Sequence, residues 1–291
     1  MRRALRIKPV AAVLAVVLLA AVWEAYKALG PEQGWSIGET RILPRTTDVA
    51  MPHTWDMVAR LFEPVTGGTG AQVLWLAVGE AMMLSLAIAV VGWLIGVGVG
   101  VVLAVAMQRV RIVERAVLPL VILSQTVPLI ALAPLVRSWG SQLEFGSFEW
   151  QAWMSVAVIA SYLAFFPVAV GMLRGLSSPD AIGVELLRSC GATWATTMLR
   201  LRSPASVPYL LPALRLAAAG AVIGTVVAEV ATGLPDGLGR MIVEFAAFAG
   251  SDPAKPWAPI FGAVLMGLLA AGAVALLGSG LRRFRRGEVA A

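Results

Sequence analysis

Few side chains in this sequence could carry out chemistry. It contains a single histidine, His53, and a single cysteine, Cys190, so neither a histidine or cysteine metal site nor an intrachain disulfide can form among its 291 residues. We expect Cys190 to be a small buried residue and His53 to lie in a solvated loop. The remaining candidates are two acids and a base that interrupt long apolar runs, namely Glu80, Glu229 and Arg215.

Glu229 is the strongest of these candidates, because a charged side chain at the depth of a lipid bilayer is costly and commonly functional. It could border a translocation pathway or make a structural hydrogen bond between helices, and both interpretations stay open. The other two charges lie near the ends of their runs, where water is within reach. Gln125 and Thr126, beside Pro128, are further candidates for lining a pathway, with a hydrogen bond that only supports packing as the alternative.

The composition places these residues in a membrane protein. Hydrophobic residues make up 59% of the chain and charged residues 14%, with a mean hydropathy of +0.82, which leaves too little polar surface for a soluble globule. A membrane-spanning helix needs about 20 mostly apolar residues. The sequence therefore predicts an all-α membrane protein with six transmembrane helices, at 10–29, 75–107, 116–137, 151–173, 205–232 and 257–281.

The basic residues indicate the topology rather than a nucleic-acid surface. The net charge is +6 and the isoelectric point about 10.2, yet the cations lie at the ends of the apolar runs. With the N-terminus inside, 15 of the 23 lysines and arginines fall on the cytoplasmic side. This bias predicts that both termini are cytoplasmic and excludes nucleic acid as a partner.

The chain divides into four predicted parts: a first, uncleaved transmembrane helix at 1–29, an extracytoplasmic segment at 30–72, a transmembrane core at 73–281 that includes the loop 175–204, and a basic cytoplasmic tail at 282–291. Within the second part, the apolar spacing of 51–62 predicts an amphipathic helix on the outer membrane surface.

Two features of the core concern helix shape. Gly92, Gly96 and Gly100 form a small-residue face for close helix contact. The span at 116–137 contains three prolines, Pro119, Pro128 and Pro134, so we expect it to be kinked, either lining a pathway or for structural reasons alone. Near its outer end we expect Arg137 to extend its side chain toward water.

A polar segment, Ser178–Pro212, separates the fourth and fifth apolar runs, and its first part forms the predicted cytoplasmic loop 175–204. Ser178 and Pro179 are helix-start signals, and Gly191 can adopt the positive φ that ends a helix. We therefore expect one short helix before Gly191 and a second over 193–203. Such a pair could be an inert turn on the membrane surface or a docking element.

The spacing within this segment resembles the EAA loop of ATP-binding-cassette importer permeases. Glu185 is followed by Gly191 six residues later, then by Leu201 in the position of a branched apolar residue, and by Pro204.

The resemblance extends over about residues 43–285. Leu186 and Leu187 stand where the family often has alanines, so the motif is imperfect. However, the stretches 51–62, 124–141 and 227–242 are similar to further motifs of the nitrate/sulfonate/taurine-type permeases, in the same order.

The resemblance implies that the loop docks into a groove of a separate ATPase subunit and passes its motion to the spans. The implied coupling residues are Glu185, Arg188, Gly191, Trp194, Met198, Leu201 and Pro204. The chain itself would be neither an enzyme nor a cofactor-binding protein. It has no G-x-x-x-x-G-K-[ST] phosphate loop, so ATP and Mg²⁺ would be bound by the ATPase.

The implied complex lies in a bacterial inner membrane and also contains an extracytoplasmic binding protein and a second permease subunit. We expect that subunit to be a second copy of this chain, giving a homodimer, with a different permease as the alternative. The implied solute is small and polar, such as nitrate, a sulfonate, taurine, or a vitamin precursor of the riboflavin or thiamine-pyrimidine type. A secondary transporter or channel remains the alternative, although we find neither an inverted repeat nor many buried charges.

Overall fold

The computed structural model describes residues 2–37, 40–68, 70–146 and 148–280, and the basic tail predicted for 282–291 lies outside them. This part of the chain is mostly helical. Its helices are α1 (Arg2–Leu29), α2 (Thr54–Ala59), α3 (Leu74–Arg109), α4 (Arg111–Ser124), α5 (Leu129–Gly140), α6 (Ala152–Leu176), α7 (Ala181–Ser189), α8 (Trp194–Thr197), α9 (Ser203–Thr232), α10 (Leu238–Ala247) and α11 (Trp257–Gly280). Two small antiparallel hairpins pair β1 (Trp35–Ile37) with β2 (Thr40–Leu43) and β3 (Glu144–Phe145) with β4 (Phe148–Glu149).

Five of the six expected spans have counterparts among the helices long and apolar enough to cross a membrane. Four are continuous helical runs, and α4 with α5 forms a fifth if that bent pair is one span. The four runs are Leu74–Arg109, Ala152–Leu176, Trp194–Thr232 and Trp257–Gly280. The sixth expected span, 10–29, coincides with α1, whose side chains from Val13 to Val22 are largely exposed.

The third expected span is not a kinked helix but two helices that meet at 103°. Of its three prolines, only Pro128 lies at the break, where it directly precedes α5. Pro119 lies inside α4 and Pro134 inside α5. Pro128 breaks the span because it has no N–H and because it disfavours helical backbone in the preceding residue.

The predicted small-residue face of α3 is confirmed. A Cβ added at Gly92 would lie 2.5 Å from the Cβ of Ala160, and one at Gly96 would lie 2.6 Å from the Cβ of Ala164. Both partners are on α6, and Gly100 meets the same helix one turn further on. The backbones of α3 and α6 therefore approach more closely than side chains at these positions would allow.

Helices α6 and α9 pack along most of their length and run antiparallel. Small residues again line the contact. A Cβ added at Gly171 would lie 2.5 Å from Ala213, one at Gly175 would lie 2.7 Å from Ser206, and one at Gly224 would lie 3.0 Å from Ala160. This pair forms the centre of the transmembrane core.

By its contacts the chain forms two compact units: Met1–Glu80 with Ile242–Phe261, and Ala81–Met241 with Gly262–Ala291. In the first unit, the end of α1 holds the start of α2. Glu24 accepts hydrogen bonds from the backbone N–H and the hydroxyl of Thr54, at 2.6 and 2.7 Å. Trp23 donates its indole N–H to the carbonyl of Pro52 at 3.0 Å.

The only histidine is not the solvated loop residue that we expected. His53 is half-buried, with Nδ1 at 2.7 Å from Glu24, and its ring stacks on Trp55 at 4.1 Å. The helix predicted within 51–62 is present as α2 followed by a 3₁₀ turn, Arg60–Phe62. On it Trp55, Val58 and Phe62 are exposed and Met57 is buried.

Candidate coupling segment and membrane-embedded polar residues

The first short helix of the loop 175–204 begins later than the sequence signals predicted. Helix α7 starts at Ala181 after Asp180, and the hydroxyl of Ser178 bonds to the carbonyl of Gly175 at 2.8 Å instead of capping α7. The predicted end is confirmed, because Gly191 has a φ of +78°. Ala192 then donates its N–H to the carbonyl of Leu187 at 2.9 Å, which closes the turn.

The second predicted helix, 193–203, is not a separate element. Helix α8 continues through a π-helical turn, Met198–Arg202, directly into α9. Pro204 follows this turn at the start of α9 and has no N–H to donate to the preceding turn of the run. The loop after Gly191 is therefore the beginning of the long run Trp194–Thr232.

Met198 points into the transmembrane core. Only 7% of it is exposed, and it packs in a cluster with Ala104 and Met107 of α3, Val121 of α4 and residues of α6. The resemblance implied an outward contact for Met198, but its burial makes it a packing residue. Its neighbour Leu199 is 72% exposed.

Trp194 is tied to the end of α3. Its indole N–H donates to Gln108 at 3.3 Å, and the guanidinium of Arg109 lies 4.5 Å from the ring centroid. Further along, Arg202 donates to the carbonyl of Leu176 at 2.7 Å, one of the last carbonyls of α6. These contacts fix the start of the long run to two spans.

Three large apolar side chains of the segment are exposed. We call them the exposed ridge: Ile182 and Leu186, one turn apart on α7, and Leu199 in the π-helical turn, which are 72%, 64% and 72% exposed. Glu185 and Arg188 are exposed beside it on α7, and Leu201 is half-buried near Gly183. The helical spacing of Ile182 and Leu186 showed that they share one face of α7, but the sequence alone did not show whether that face is exposed or buried.

Cys190 is exposed, contrary to the prediction that it is buried. It occupies the position after the last residue of α7, where the chain turns away before Gly191. Neither neighbouring helix covers this corner.

The break between α4 and α5 exposes a polar corner. Thr126 is exposed and Gln125 half-buried. Their side chains bond locally, Gln125 to the hydroxyl of Ser124 at 3.2 Å and Thr126 to the carbonyl of Leu123 at 2.8 Å. On the neighbouring helix α6, Tyr162 donates its hydroxyl to the carbonyl of Ser124.

Glu229 is fully buried and hydrogen-bonded. Its carboxylate accepts a hydrogen bond of 2.6 Å from the hydroxyl of Ser85 and one of 2.7 Å from the N–H of Gly239. Ser85 also accepts from the N–H of Leu238 at 2.9 Å. An added Cβ at Gly237 would lie 2.7 Å from the carboxyl carbon, so a glycine is needed there. The carboxyl group thus joins α3, α9 and the start of α10.

The other intramembrane charges have different surroundings. Arg137 donates to the carbonyl of Thr232, the last residue of α9, rather than only extending toward water. Glu80 accepts from the side chain of Gln72 at 2.9 Å. Arg215 is exposed on α9.

Among the residues that the structure describes, no cluster of three or more histidine, cysteine, aspartate or glutamate side chains could hold a metal ion. In the first unit, a cavity of about 800 Å³ opens between Arg60, Phe245, Phe248 and Lys255. In the second, an apolar groove of about 480 Å³ lies between α3, α9 and α11.

Comparisons with known proteins match this arrangement. The Formylaminopyrimidine transport permease protein ThiX of Halalkalibacterium halodurans is 32% identical over 93% of this chain and 94% of its own length. The Taurine transport system permease protein TauC of Escherichia coli is 29% identical over 64% of this chain and 61% of its own length. The Riboflavin transport system permease protein RibX of Chloroflexus aurantiacus is 28% identical over 46% of each chain.

The family model described as "Binding-protein-dependent transport system inner membrane component" matches residues 96–284. That range contains the exposed ridge, the polar corner and Glu229. The chain therefore belongs to this family, the inner-membrane permeases of ATP-binding-cassette importers.

Proposed function

We propose that this chain is a permease subunit with six membrane-spanning helices and both termini in the cytoplasm, and that it works as a homodimer. Helix α1 would supply the sixth span, since its exposed apolar side chains from Val13 to Val22 suit a lipid environment. Two cytoplasmic ATPase subunits would bind ATP and Mg²⁺, and an extracytoplasmic binding protein would deliver the solute. Permeases of this family are not themselves catalytic.

The observation that carries the coupling role is the exposed ridge. Three large apolar side chains, Ile182, Leu186 and Leu199, are exposed on a segment that we expect to lie in the cytoplasm. Clustered exposed apolar residues mark protein-interaction sites. Glu185, Arg188 and Gly191 flank or shape this surface, and we assign the ATPase contact to it.

The same segment has an inward side that would transmit the motion. Met198 lies in the core cluster with α3, α4 and α6, while Trp194 rests on the end of α3. Leu201 and Pro204 continue the segment into α9. A force on the exposed ridge would therefore act on several spans at once.

We propose that the polar corner at Gln125, Thr126 and Pro128 borders the pathway. Its support is exposure of polar groups within a span, which lipid would disfavour. Both carboxylate oxygens of Glu229 accept hydrogen bonds inside the core, and we assign this residue to holding helices together.

We propose that α2 lies on the outer membrane surface. Trp55, Val58 and Phe62 are 58%, 50% and 69% exposed and share one side. Glu24 bonds α2 to the last turns of α1, just after its apolar run, which sets α2 at the level of the interface.

The solute is a small polar molecule. Relatives are named for formylaminopyrimidine, aliphatic sulfonates, riboflavin and taurine transport, so sulfonates, taurine and vitamin precursors are candidate solutes. Nitrate is a further candidate, from the motif resemblance alone. The relative matched over 94% of its length is named for formylaminopyrimidine, and a pyrimidine precursor is the first solute to test.

The coupling role is tested by co-purifying the tagged chain with an ATP-binding-cassette ATPase subunit of an importer from the same organism. We expect Leu186→Ser to reduce the recovered ATPase severalfold, because the exposed ridge loses an apolar contact. The control is Ile112→Ser, which changes a residue that is 78% exposed on α4. Equal recovery of the ATPase with both variants would refute the assignment.

A further inference from the structure

The bend between α4 and α5 is held by a side chain from α6. Pro128 has no N–H, so the carbonyl of Ser124 loses its usual helical donor four residues later. Tyr162 supplies a hydroxyl donor to this carbonyl, with the N–H of Val127 as a second donor at 3.3 Å. The freed carbonyl is thus satisfied from a neighbouring span, as a break at membrane depth requires.

The other end of α5 is held by a side chain of its own. Arg137, in the last turn of α5, donates to the carbonyl of Thr232. Helix α9 ends there, since Gly233 has a φ of +64°, and the last carbonyls of a helix lack partners within it. A cation at this position also suits the negative end of the helix dipole.

Both attachments lead to the same body. Tyr162 belongs to α6 and Thr232 to α9, and these two helices are packed through Gly171, Gly175 and Gly224 at distances that exclude larger side chains. The end of α4, at the bend, is therefore fastened to one member of the pair, and the end of α5 to the other.

We infer that Arg137 and Tyr162 are positioning residues for transport, which make α5 and the bend move together with the α6–α9 pair. The polar corner of Gln125 and Thr126 then keeps a constant position on that pair while other helices move. This inference rests on the proposed function insofar as the corner borders the pathway. The fastening itself rests only on the two hydrogen bonds.

The fastening is tested with spin labels at two exposed positions, Leu135 on α5 and Ile223 on α9. Both are replaced by cysteine in a Cys190→Ser background, and the full chain is diluted with unlabelled copies in lipid nanodiscs. We expect one narrow distance distribution in the parent. Arg137→Leu and Tyr162→Phe should each broaden it, and Arg137→Lys should restore the narrow distribution because it keeps the cation.

Matched controls make the same chemical changes elsewhere. Arg111→Leu alters an exposed arginine at the opposite end of the broken span, and Tyr209→Phe alters an exposed tyrosine of α9; neither should broaden the distribution. If Arg137→Leu does not fold, the distance distribution of Tyr162→Phe, a variant that lacks only one oxygen atom, still tests the inference. Parent-like distributions in the variants that fold would overturn the inference.

A separate measurement tests the role of the corner. We expect Thr126→Cys to react with a membrane-impermeant maleimide in a Cys190→Ser background that holds no other cysteine. Its failure to react would contradict the pathway role under the proposed function, while the spin-label distances would still report whether α5 is fastened.

Discussion

Glu229 and Ser85 are 144 residues apart in the sequence, yet their side chains form a hydrogen bond of 2.6 Å inside the core. Each also bonds to the start of α10, through the N–H groups of Gly239 and Leu238. Helix starts have free N–H groups and a partial positive charge. The pair therefore anchors α10 to two spans.

Ser85→Ala should destabilise the protein. The substitution leaves the N–H of Leu238 without its acceptor and removes one donor from Glu229, and each unsatisfied buried group costs about 1–3 kcal/mol. Thermal unfolding in detergent measures the loss. Ser161→Ala is the control, because that hydroxyl bonds only to the carbonyl of Val158 in its own helix. Equal stability of the two variants would contradict an anchoring role.

Gly96→Ala should separate α3 from α6. The new methyl group would lie 2.6 Å from the Cβ of Ala164, and overpacking of this kind costs about 1–3 kcal/mol. Two residues further on, Gly98 has nothing within 4 Å of an added Cβ, so Gly98→Ala should be neutral or slightly stabilising. Unfolding midpoints of the two variants make the comparison, and a Gly96→Ala protein as stable as its control would refute close packing.

Met198→Ala and Leu199→Ala should impair different properties, although the residues are adjacent: the first should lower stability and the second should lower ATPase binding. Met198 is buried, and truncating a buried methionine costs about 2–5 kcal/mol, so that variant should lose stability. Leu199 is 72% exposed, so its variant should keep stability and lose ATPase binding. Unfolding and co-purification on the same samples separate the two; loss of ATPase binding without loss of stability in Met198→Ala would reverse the assignment.

Gly191→Ala should weaken ATPase binding through the backbone alone. An added Cβ would meet nothing within 4 Å, but the φ of +78° disfavours alanine by about 1–2 kcal/mol. Gly191→Asn should be milder, because asparagine tolerates this conformation. Co-purified ATPase is the measurement, and the interior helix variant Gly183→Ala is the control. If Gly191→Ala recovered more ATPase than Gly191→Asn, the backbone conformation of this turn would not be the cause of the loss.

Acid should release the contact between Lys27 and Asp48. The hydrogen bond and charge of Lys27 hold the pKa of Asp48 below its ordinary value of 3.8. The stabilisation is therefore fully present above that ordinary value, which the unfolded chain retains, and is lost as the pH falls through the lower folded value. Hydrogen exchange of residues 44–53 should rise in that acid range. Asp48→Asn should remove this pH step, and a step that persists in the variant would exclude Asp48 as its source.

The sequence predicted well what depends on local composition and spacing. Apolar runs of sufficient length marked the five spans seen among the described helices, and glycines four residues apart marked the close face of α3. Gly191 marked the end of α7 because few other residues accept its φ. These features follow from the properties of single residues and their near neighbours.

What the sequence missed depends on contacts between distant segments. Nothing local distinguishes a kink at Pro128 from a bend of 103°, because the outcome depends on whether a donor such as Tyr162 can satisfy the freed carbonyl. The partners of Glu229 lie on other elements of the fold. The burial of Met198 and exposure of Leu199 depend on how the π-helical turn rotates the chain, which helical spacing does not predict.

The uninterrupted run Trp194–Thr232 has a mechanical consequence. Its 39 residues at about 1.5 Å each give a rod of roughly 58 Å, nearly twice the hydrocarbon thickness of about 30 Å. Its first turns carry part of the exposed ridge, and its last carbonyl receives Arg137. Tilting such a rod by about 5° about one end displaces the other by about 5 Å. A small displacement at the ATPase would therefore become, at the far membrane face, an opening comparable with the width of a small solute.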